Sequence, residues 1–509
     1  MEDVVNGLMH GFAVAITPGN LLAALIGVLI GTAIGVLPGL GPVAGAALVL
    51  PFTYTLGPVA AVIMIAGIYY GGMYGGSTTS VLLNVPGETS SIVTTLDGYK
   101  RTLKGRAGPT LFIMAIGSFI AATVSITLVA FFTPSLADFG LEFGPAEFFA
   151  IMACGLIAMA RISGGSLMSS LFPLMIGILL GTIGQEAVTS AYRYTFGTVE
   201  LAAGVGVVAI AVGLFGLSEV MTMIEDRARA PKIKSVRVRD MMPSREEWRR
   251  SWTPWGRGSI IGFAFGLIPG PSAAMSSFAS YRVEQKVSKY KHELGHGAIE
   301  GVAGPEAANN AAATSSIVPV LALGLPFSAT LALILAALQI QGIQPGPLLI
   351  EQQPDIFWGV VASMYIGNVL LVILNIPLIS VWVSILRVPQ YVLLPGILLI
   401  ATVGAFGENN NMMSVYILAA SGALGYVLNK LHFNLAPLIL GFILGPLVEK
   451  HLREGLFLSS GDPMIFLQSP IALVIYGTSI LIMIAVPVSR LANRTRQPSS
   501  PKESGKVGE

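Results

Sequence analysis

His292, Glu293 and His296 stand in the order H-E-x-x-H within SKYKHELGHGAIEG. On a helix that spacing puts two imidazoles on one face, one turn apart, with a glutamate beside them to deprotonate a zinc-bound water. Leu96-Asp97-Gly98-Tyr99 adds the look of a second motif of intramembrane zinc proteases. The setting argues against this chemistry. The histidines follow Arg282, Lys286, Lys289 and Lys291, whereas a membrane protease needs its ligands on an apolar span. Gly295 and Gly297 weaken a helix there, the aspartate precedes the histidines (the reverse of the protease order), and no clear third ligand follows. We read the three residues as a chance match in a solvated cytoplasmic loop, with no metal, no cofactor and no catalytic group.

Two other carboxylates are better placed for chemistry. Glu88 follows a proline break in NVPGETSS, and Glu306 precedes a Ser/Thr cluster in GVAGPEAANNAAATSS. Both lie in apolar surroundings, where an ionisable side chain is costly and marks function. On a helix Glu306 and Asn310 share a face, so the amide can bond the carboxylate or both can bind a cation. Glu88 and Glu306 are therefore the candidates for proton or sodium coupling. Glu408, in GAFGENNN, fits an outside turn.

The elements that hold these residues must be membrane spans. Of 509 residues 53% are hydrophobic and 11% charged, and mean hydropathy is +0.75. Soluble domains carry about 25% charge, so a soluble enzyme is excluded. A net charge of +2 gives no basic field for nucleic acid. Cys154 is the lone cysteine and forms no internal disulfide. Apolar stretches long enough to cross a bilayer run over about 109–132, 145–160, 164–184, 201–223, 357–386, 391–406, 412–428, 434–448 and 469–488. The fold expected is an all-α polytopic membrane protein of about 10–12 membrane segments. Residues 97–106 carry four basic side chains against one acid, 225–257 ten against five, and 282–293 four against two. The positive-inside rule puts these connectors in the cytoplasm, and Arg161, Arg387 and Lys430 fall on the same side. The C-terminus is then cytoplasmic and the N-terminus outside; the polar tail at 490–509 reads as disordered.

A repeat carries the strongest signal. GTAIGVLPG (Gly31–Gly39) and GFAFGLIPG (Gly262–Gly270) share G-x3-G-x2-P-G at an offset of 231 (262 − 31). Each is followed by a Ser/Thr cluster, an apolar run and a proline break, at 77–91 and 313–330. The second Pro-Gly lies between two cytoplasmic connectors, so it enters and leaves on one face as a re-entrant hairpin. The first has the opposite polarity. Inverted repeats with broken helices are the signature of secondary transporters. We divide the chain into a first repeat (1–224), a basic connector (225–258), a second repeat (259–489) and the tail (490–509). A broken helix frees N–H groups that suit carboxylates, and carbonyls that suit cations.

Four segments resemble one family closely: Gly31–Pro42, Tyr69–Glu88, Ile268–Ala273 and Glu300–Pro326. They are similar to the large membrane subunit of the bacterial tripartite tricarboxylate transporters, the TctA family. The resemblance runs from about Gly19 to beyond Arg453. It implies a permease of the bacterial inner membrane that works with a small four-helix membrane subunit (TctB-like) and a periplasmic substrate-binding protein (TctC-like). It also implies uptake of di- or tricarboxylates such as citrate, driven by Na+ or H+ through alternating access. Matched by position, the hairpin tips are Pro38, Gly39, Leu40, Gly41 and Pro42, then Pro269, Gly270, Pro271 and Ser272. Their N–H groups are the expected carboxylate ligands. Ser77, Thr78, Thr79 and Asn84, with Asn309, Asn310, Thr314 and Ser315, are expected to line the same cavity. A channel, or an exporter without a binding protein, is the other transport reading.

Overall fold

Apolar helices with glycine every fourth residue pack closely, and here that spacing decides which helices pair. The computed structural model describes residues 2–37, 40–162, 167–186, 190–226, 238–268, 270–385, 388 and 390–494. In the first half α1 (Glu2–Ala15) leads to α2 (Pro18–Val36), a break at the first Pro-Gly, and α3 (Pro42–Val49). A 3-10 turn (Leu50–Thr55), α4 (Pro58–Leu83), a second break with its own 3-10 turn (Thr89–Ser91), α5 (Ile92–Leu103) and α6 (Ala107–Leu141) follow. Then come α7 (Pro145–Ile162), α8 (Leu167–Gly181) and a two-residue antiparallel pair, β1 (Gly184–Gln185) and β2 (Tyr192–Arg193). The half closes with α9 (Val207–Ala211), a π-helical turn (Val212–Leu217) and α10 (Ser218–Asp226).

The second half starts with α11 (Arg245–Gly266), the second Pro-Gly break and α12 (Ser272–Val287). Next are α13 (Glu300–Ser315), α14 (Ile317–Leu323), another break, α15 (Ala329–Ile340), the single turn α16 (Leu349–Gln352) and α17 (Pro354–Asn375). The chain ends with α18 (Ile379–Ile385), α19 (Gln390–Asn409), α20 (Met412–Lys430), α21 (Ala436–Leu458), α22 (Ile465–Gln468) and α23 (Pro470–Arg494). Seven helices are long and apolar enough to cross a membrane, and five shorter apolar ones accompany them among the described residues. The protein is an all-α polytopic membrane protein.

The repeat is visible at single-residue resolution. A Cβ on Gly27, Gly31 or Gly35 of α2 would come within 2.4, 2.5 or 2.3 Å of the carbonyl oxygens of Met64, Ile68 and Gly72 on α4. On α11, a Cβ on Gly258, Gly262 or Gly266 would meet those of Gly304, Ala308 and Ala312 on α13 at 2.4, 2.3 and 2.6 Å. The first elements are offset by 231 (258 − 27) and the second by 240 (304 − 64). Numbers rise together on both helices of each pair, so α2 runs parallel to α4 and α11 to α13. The chain must turn back between them, and α3 and α12 do so. α2 with α3, and α11 with α12, therefore form two hairpins. At the downstream breaks, Asn84 (φ 61°) and Gly324 (φ 70°) take the same left-handed cap, again 240 apart (324 − 84). The equivalent helices α4 and α13 lie side by side with opposite sense. Ser77, late on α4, bonds Glu306, early on α13, while the earlier Tyr69 lies beside the later Ser316. The two halves are inverted relative to each other.

Outside this hairpin bundle, the pairing crosses between halves. Gly177 and Gly181 of α8 approach the carbonyls of Leu438 and Phe442 on α21, and Gly213 in the π-helical turn approaches Leu418 on α20.

Several expected boundaries move. The segment 201–223 is helical only from Val207, because Gly204 takes a left-handed φ of 92°. The span at 357–386 breaks after Asn375 into α17 and α18, and that at 109–132 continues to Leu141 through Pro134. The stretch 434–448 is the first part of α21, which runs on to Leu458. The last part of the basic connector is already helix: Ser244 caps α11, accepting from Glu247 N, and Glu247 binds Arg101 and Arg106 of the first half. Glu408 is no free turn residue. It ends α19 and caps α9 by accepting from the N–H groups of Val208 (3.0 Å) and Ala209 (3.2 Å). Residues 227–237, Arg387 and the tail beyond 494 lie outside the described residues, as do Pro38, Gly39 and Pro269.

Candidate functional site

A cavity of about 480 Å³ lies where the two hairpins meet. Gly41, Pro42 and Val43 reach it from the first tip, and Pro271, Ser272, Ala273 and Ala274 from the second. Gly87, Glu88, Thr89 and Ser90 come from the first downstream break, and Phe327, Ser328, Ala329 and Thr330 from the second. Tyr69 and Met73 of α4 form one wall; Phe215 of the π-helical turn and Asn434, Leu435 and Ala436 before and at the start of α21 form another.

Each break restarts a helix at the cavity: α3 at Pro42, the 3-10 turn before α5 at Thr89, α12 at Ser272 and α15 at Ala329. First-turn N–H groups have no acceptor in their own helix, and four such termini converge here. Their partial positive charges favour an anion. Ser272, Thr89, Ser90 and Thr330 add hydroxyls. The one carboxylate on these walls is Glu88, whose Oε1 accepts from Ser90 Oγ at 2.6 Å. Neither Glu88 nor Glu306 forms an ion pair among the described residues.

The site residues expected from the sequence divide into two groups. Gly41, Pro42, Pro271, Ser272 and Glu88 line the cavity. Leu40 is buried in the apolar core, and Gly270 (φ 136°) forms the turn before Ser272. None of Ser77, Thr78 and Thr79 lines the cavity: Ser77 donates to Glu306, and Thr78 and Thr79 bond back to the carbonyls of Tyr74 and Gly76 in their own helix. Thr314 does the same to Asn310, and Ser315 bonds Phe263 O, 3.1 Å away on α11. Asn84 is an exposed helix cap. In an apolar helix a hydroxyl meets its bonding need most cheaply at a carbonyl one turn back, and these residues lie off the cavity.

Glu306 sits behind the cavity, 1% exposed, held by Thr94 of α5 and by Ser77 Oγ at 2.6 Å. Asn310 does not bond its carboxylate. Its Nδ2 donates to Ser118 Oγ (2.8 Å) and to the Glu306 carbonyl (3.0 Å). Asn309 is fully buried beside Glu88. Tyr69, Ser90 and Ser328 were missed from the sequence. Aligning the second elements on Pro86 and Pro326 (offset 240) would have flagged two of them, because it pairs Tyr69 with Asn309 and Glu88 with Ser328.

HELGH forms no helical ligand pair. Only Lys291–Glu293 makes a 3-10 turn, Gly295 and Gly297 take left-handed φ values, and Glu293 binds Arg250 at 2.7 Å. Among the described residues no group of three His, Cys, Asp or Glu side chains is placed to hold a metal. Asp97 does reach this loop, but for its backbone: it accepts from the N–H groups of Gly295 (3.0 Å), Gly297 (2.6 Å) and Ala298 (3.0 Å) and from Tyr281 OH (2.9 Å).

The model of the tripartite tricarboxylate transporter TctA family matches residues 21–440. An uncharacterized 52.8 kDa protein in the TAR-I ttuC' 3' region of Agrobacterium vitis is 46% identical over 493 residues, 96% of this chain and 98% of the relative. A second A. vitis protein, from the TAR-II ttuC' 3' region, is 48% identical over 236 residues, 46% of this chain and 98% of that relative. No solved structure matches.

Proposed function

The chain belongs to the tripartite tricarboxylate transporter TctA family, and from that premise we propose that it is the permease subunit of a secondary transporter importing di- or tricarboxylates by cation symport. The observation that carries this reading is the convergence of four helix starts, two from each inverted repeat, on one cavity. Backbone N–H groups fixed at those starts bind carboxylates without bringing a counter-charge into the membrane.

Glu88 supplies the coupling. An anion entering beside a bare carboxylate is repelled, so a cation or proton at Glu88 must neutralise it first, and each then favours binding of the other. Glu306, bonded to Thr94 and Ser77 of the first repeat, is a second candidate to carry a proton between the halves. Asn84, Val85, Pro86 and Thr89 are exposed, whereas Leu325, Phe327 and Thr330 are buried. The first break is the more exposed of the two, an asymmetry that alternating access would reverse. With the basic connectors in the cytoplasm of a bacterial inner membrane, the exposed side faces inward. A TctB-like small subunit and a TctC-like periplasmic binding protein are the proposed partners, the latter delivering substrate from outside.

Proteoliposomes holding both membrane subunits test this with radiolabelled citrate and added binding protein. Uptake that follows an imposed Na+ or pH gradient and needs the binding protein supports it. Equal flux without a gradient would indicate a channel.

A further inference from the structure

Asn309 is 0% exposed, and its Oδ1 and Nδ2 make no hydrogen bond of good geometry, although the amide lies against the Glu88 carboxylate. Buried amides are seldom left so, because each unpaired group forfeits its hydration for nothing. Its surroundings follow from the inverted symmetry. The offset of 240 pairs Tyr69 with Asn309 (309 − 69) and Glu88 with Ser328 (328 − 88). Tyr69 lies beside Ser316 and Ser328, and Glu88 lies beside Ser90 and Asn309; Tyr69, Glu88 and Ser328 all line the cavity. Three of these four residues therefore share the cavity wall, and the fourth, Asn309, backs onto Glu88 where the two repeats meet.

The groups at that point are all oxygen donors: a carboxylate, a carboxamide, a serine hydroxyl and a phenol. Glu88 brings one formal negative charge, Glu306 is near enough to add to the field, and no cationic side chain pairs with either among the described residues. A proton needs a single acceptor. A cation stripped of water needs several hard oxygens at once, and broken helices of inverted repeats are where such sites form.

We propose that Glu88, Asn309 and Ser328, with Tyr69 closing the shell, bind one Na+ at the edge of the cavity. The site rests on the permease reading, because the ion also meets a carboxylate of the substrate there. Bound Na+ satisfies the Asn309 carbonyl, cancels the charge of Glu88 and ties the first repeat to the second.

Thermal melts of the purified full-length permease without substrate, in NaCl, KCl or choline chloride at constant ionic strength, test it. We expect NaCl alone to raise the melting temperature in a saturable way. The rise should vanish in Asn309→Ala and Glu88→Gln, while Ser328→Ala should shift the half-maximal Na+ concentration up by about tenfold or more. Sharp melts of the variants in choline chloride establish that they fold. Equal melts in all three salts, a Na+ response unchanged in Asn309→Ala and Ser328→Ala, or a response that tracks pH alone would each overturn the site. Radiolabelled citrate binding separates this from the permease reading. Tight binding in choline chloride, indifferent to Na+, removes the site and keeps the permease. A Na+ response lost in the variants, with no carboxylate bound in any salt, keeps the site and counts against the carboxylate reading.

Discussion

Asp97 and the HELGH loop show how one spacing pattern serves another purpose. The carboxylate is fully buried and accepts four hydrogen bonds, three of them from a loop about 200 residues away in sequence. Bonds to a buried charge are worth about 1.5–3 kcal/mol each, so Asp97→Asn, which removes the charge and acceptor capacity but keeps the shape, should cost about 2–4 kcal/mol. A lower melting temperature in detergent measures this. His292→Ala should leave both melting and uptake within error, because the ring is exposed and its loop is held through backbone. A fall in uptake with zinc lost from His292→Ala protein would reinstate the protease reading. Both segments were conspicuous in the sequence, but backbone N–H groups leave no trace in side-chain patterns, so their actual bond was not legible. Glu88 was legible because a charge in apolar sequence is expensive. Tyr69 was not, because a tyrosine in an apolar helix reads equally well as core.

Glycine spacing, at the level of helices, was the most informative feature. It gave the repeat, and the structure shows its physical origin: at Gly31 and Gly262 a backbone carbonyl occupies the space a Cβ would need. Gly31→Leu or Gly262→Leu should each force α2 off α4, or α11 off α13, at a cost of about 3 kcal/mol or more. Gly256→Leu, on the same helix but facing open space, should be tolerated. Size-exclusion profiles and uptake of the three variants check this; a well-folded Gly31→Leu protein would mean that the two helices are free to separate. Helix existence followed from hydropathy and the hairpins from Pro-Gly. The direction of each hydroxyl did not, since Thr78 and Thr79 satisfy themselves on their own helix as readily as in a cavity. The π-helical turn that carries Phe215 to the cavity has no sequence signal that distinguishes it from ordinary helix.

For the whole molecule, inversion makes a strong demand: two breaks related by symmetry should exchange environments during the cycle. Val85 is 40% exposed and Leu325 1%; under the proposed alternating access the two exchange these environments. In a background with Cys154 replaced by Ala, Val85→Cys should react readily with a membrane-impermeant maleimide applied to inside-out vesicles. Leu325→Cys should resist the reagent from either side. A cation gradient, binding protein and carboxylate together should lower labelling at Val85→Cys and raise it at Leu325→Cys from the outside, because one population gains what the other loses. Neither component alone should produce the full exchange, since an anion without its cation meets the charge of Glu88. If both positions label at once, from both faces and without ligand, the cavity is a continuous pore and the two breaks are not alternating gates.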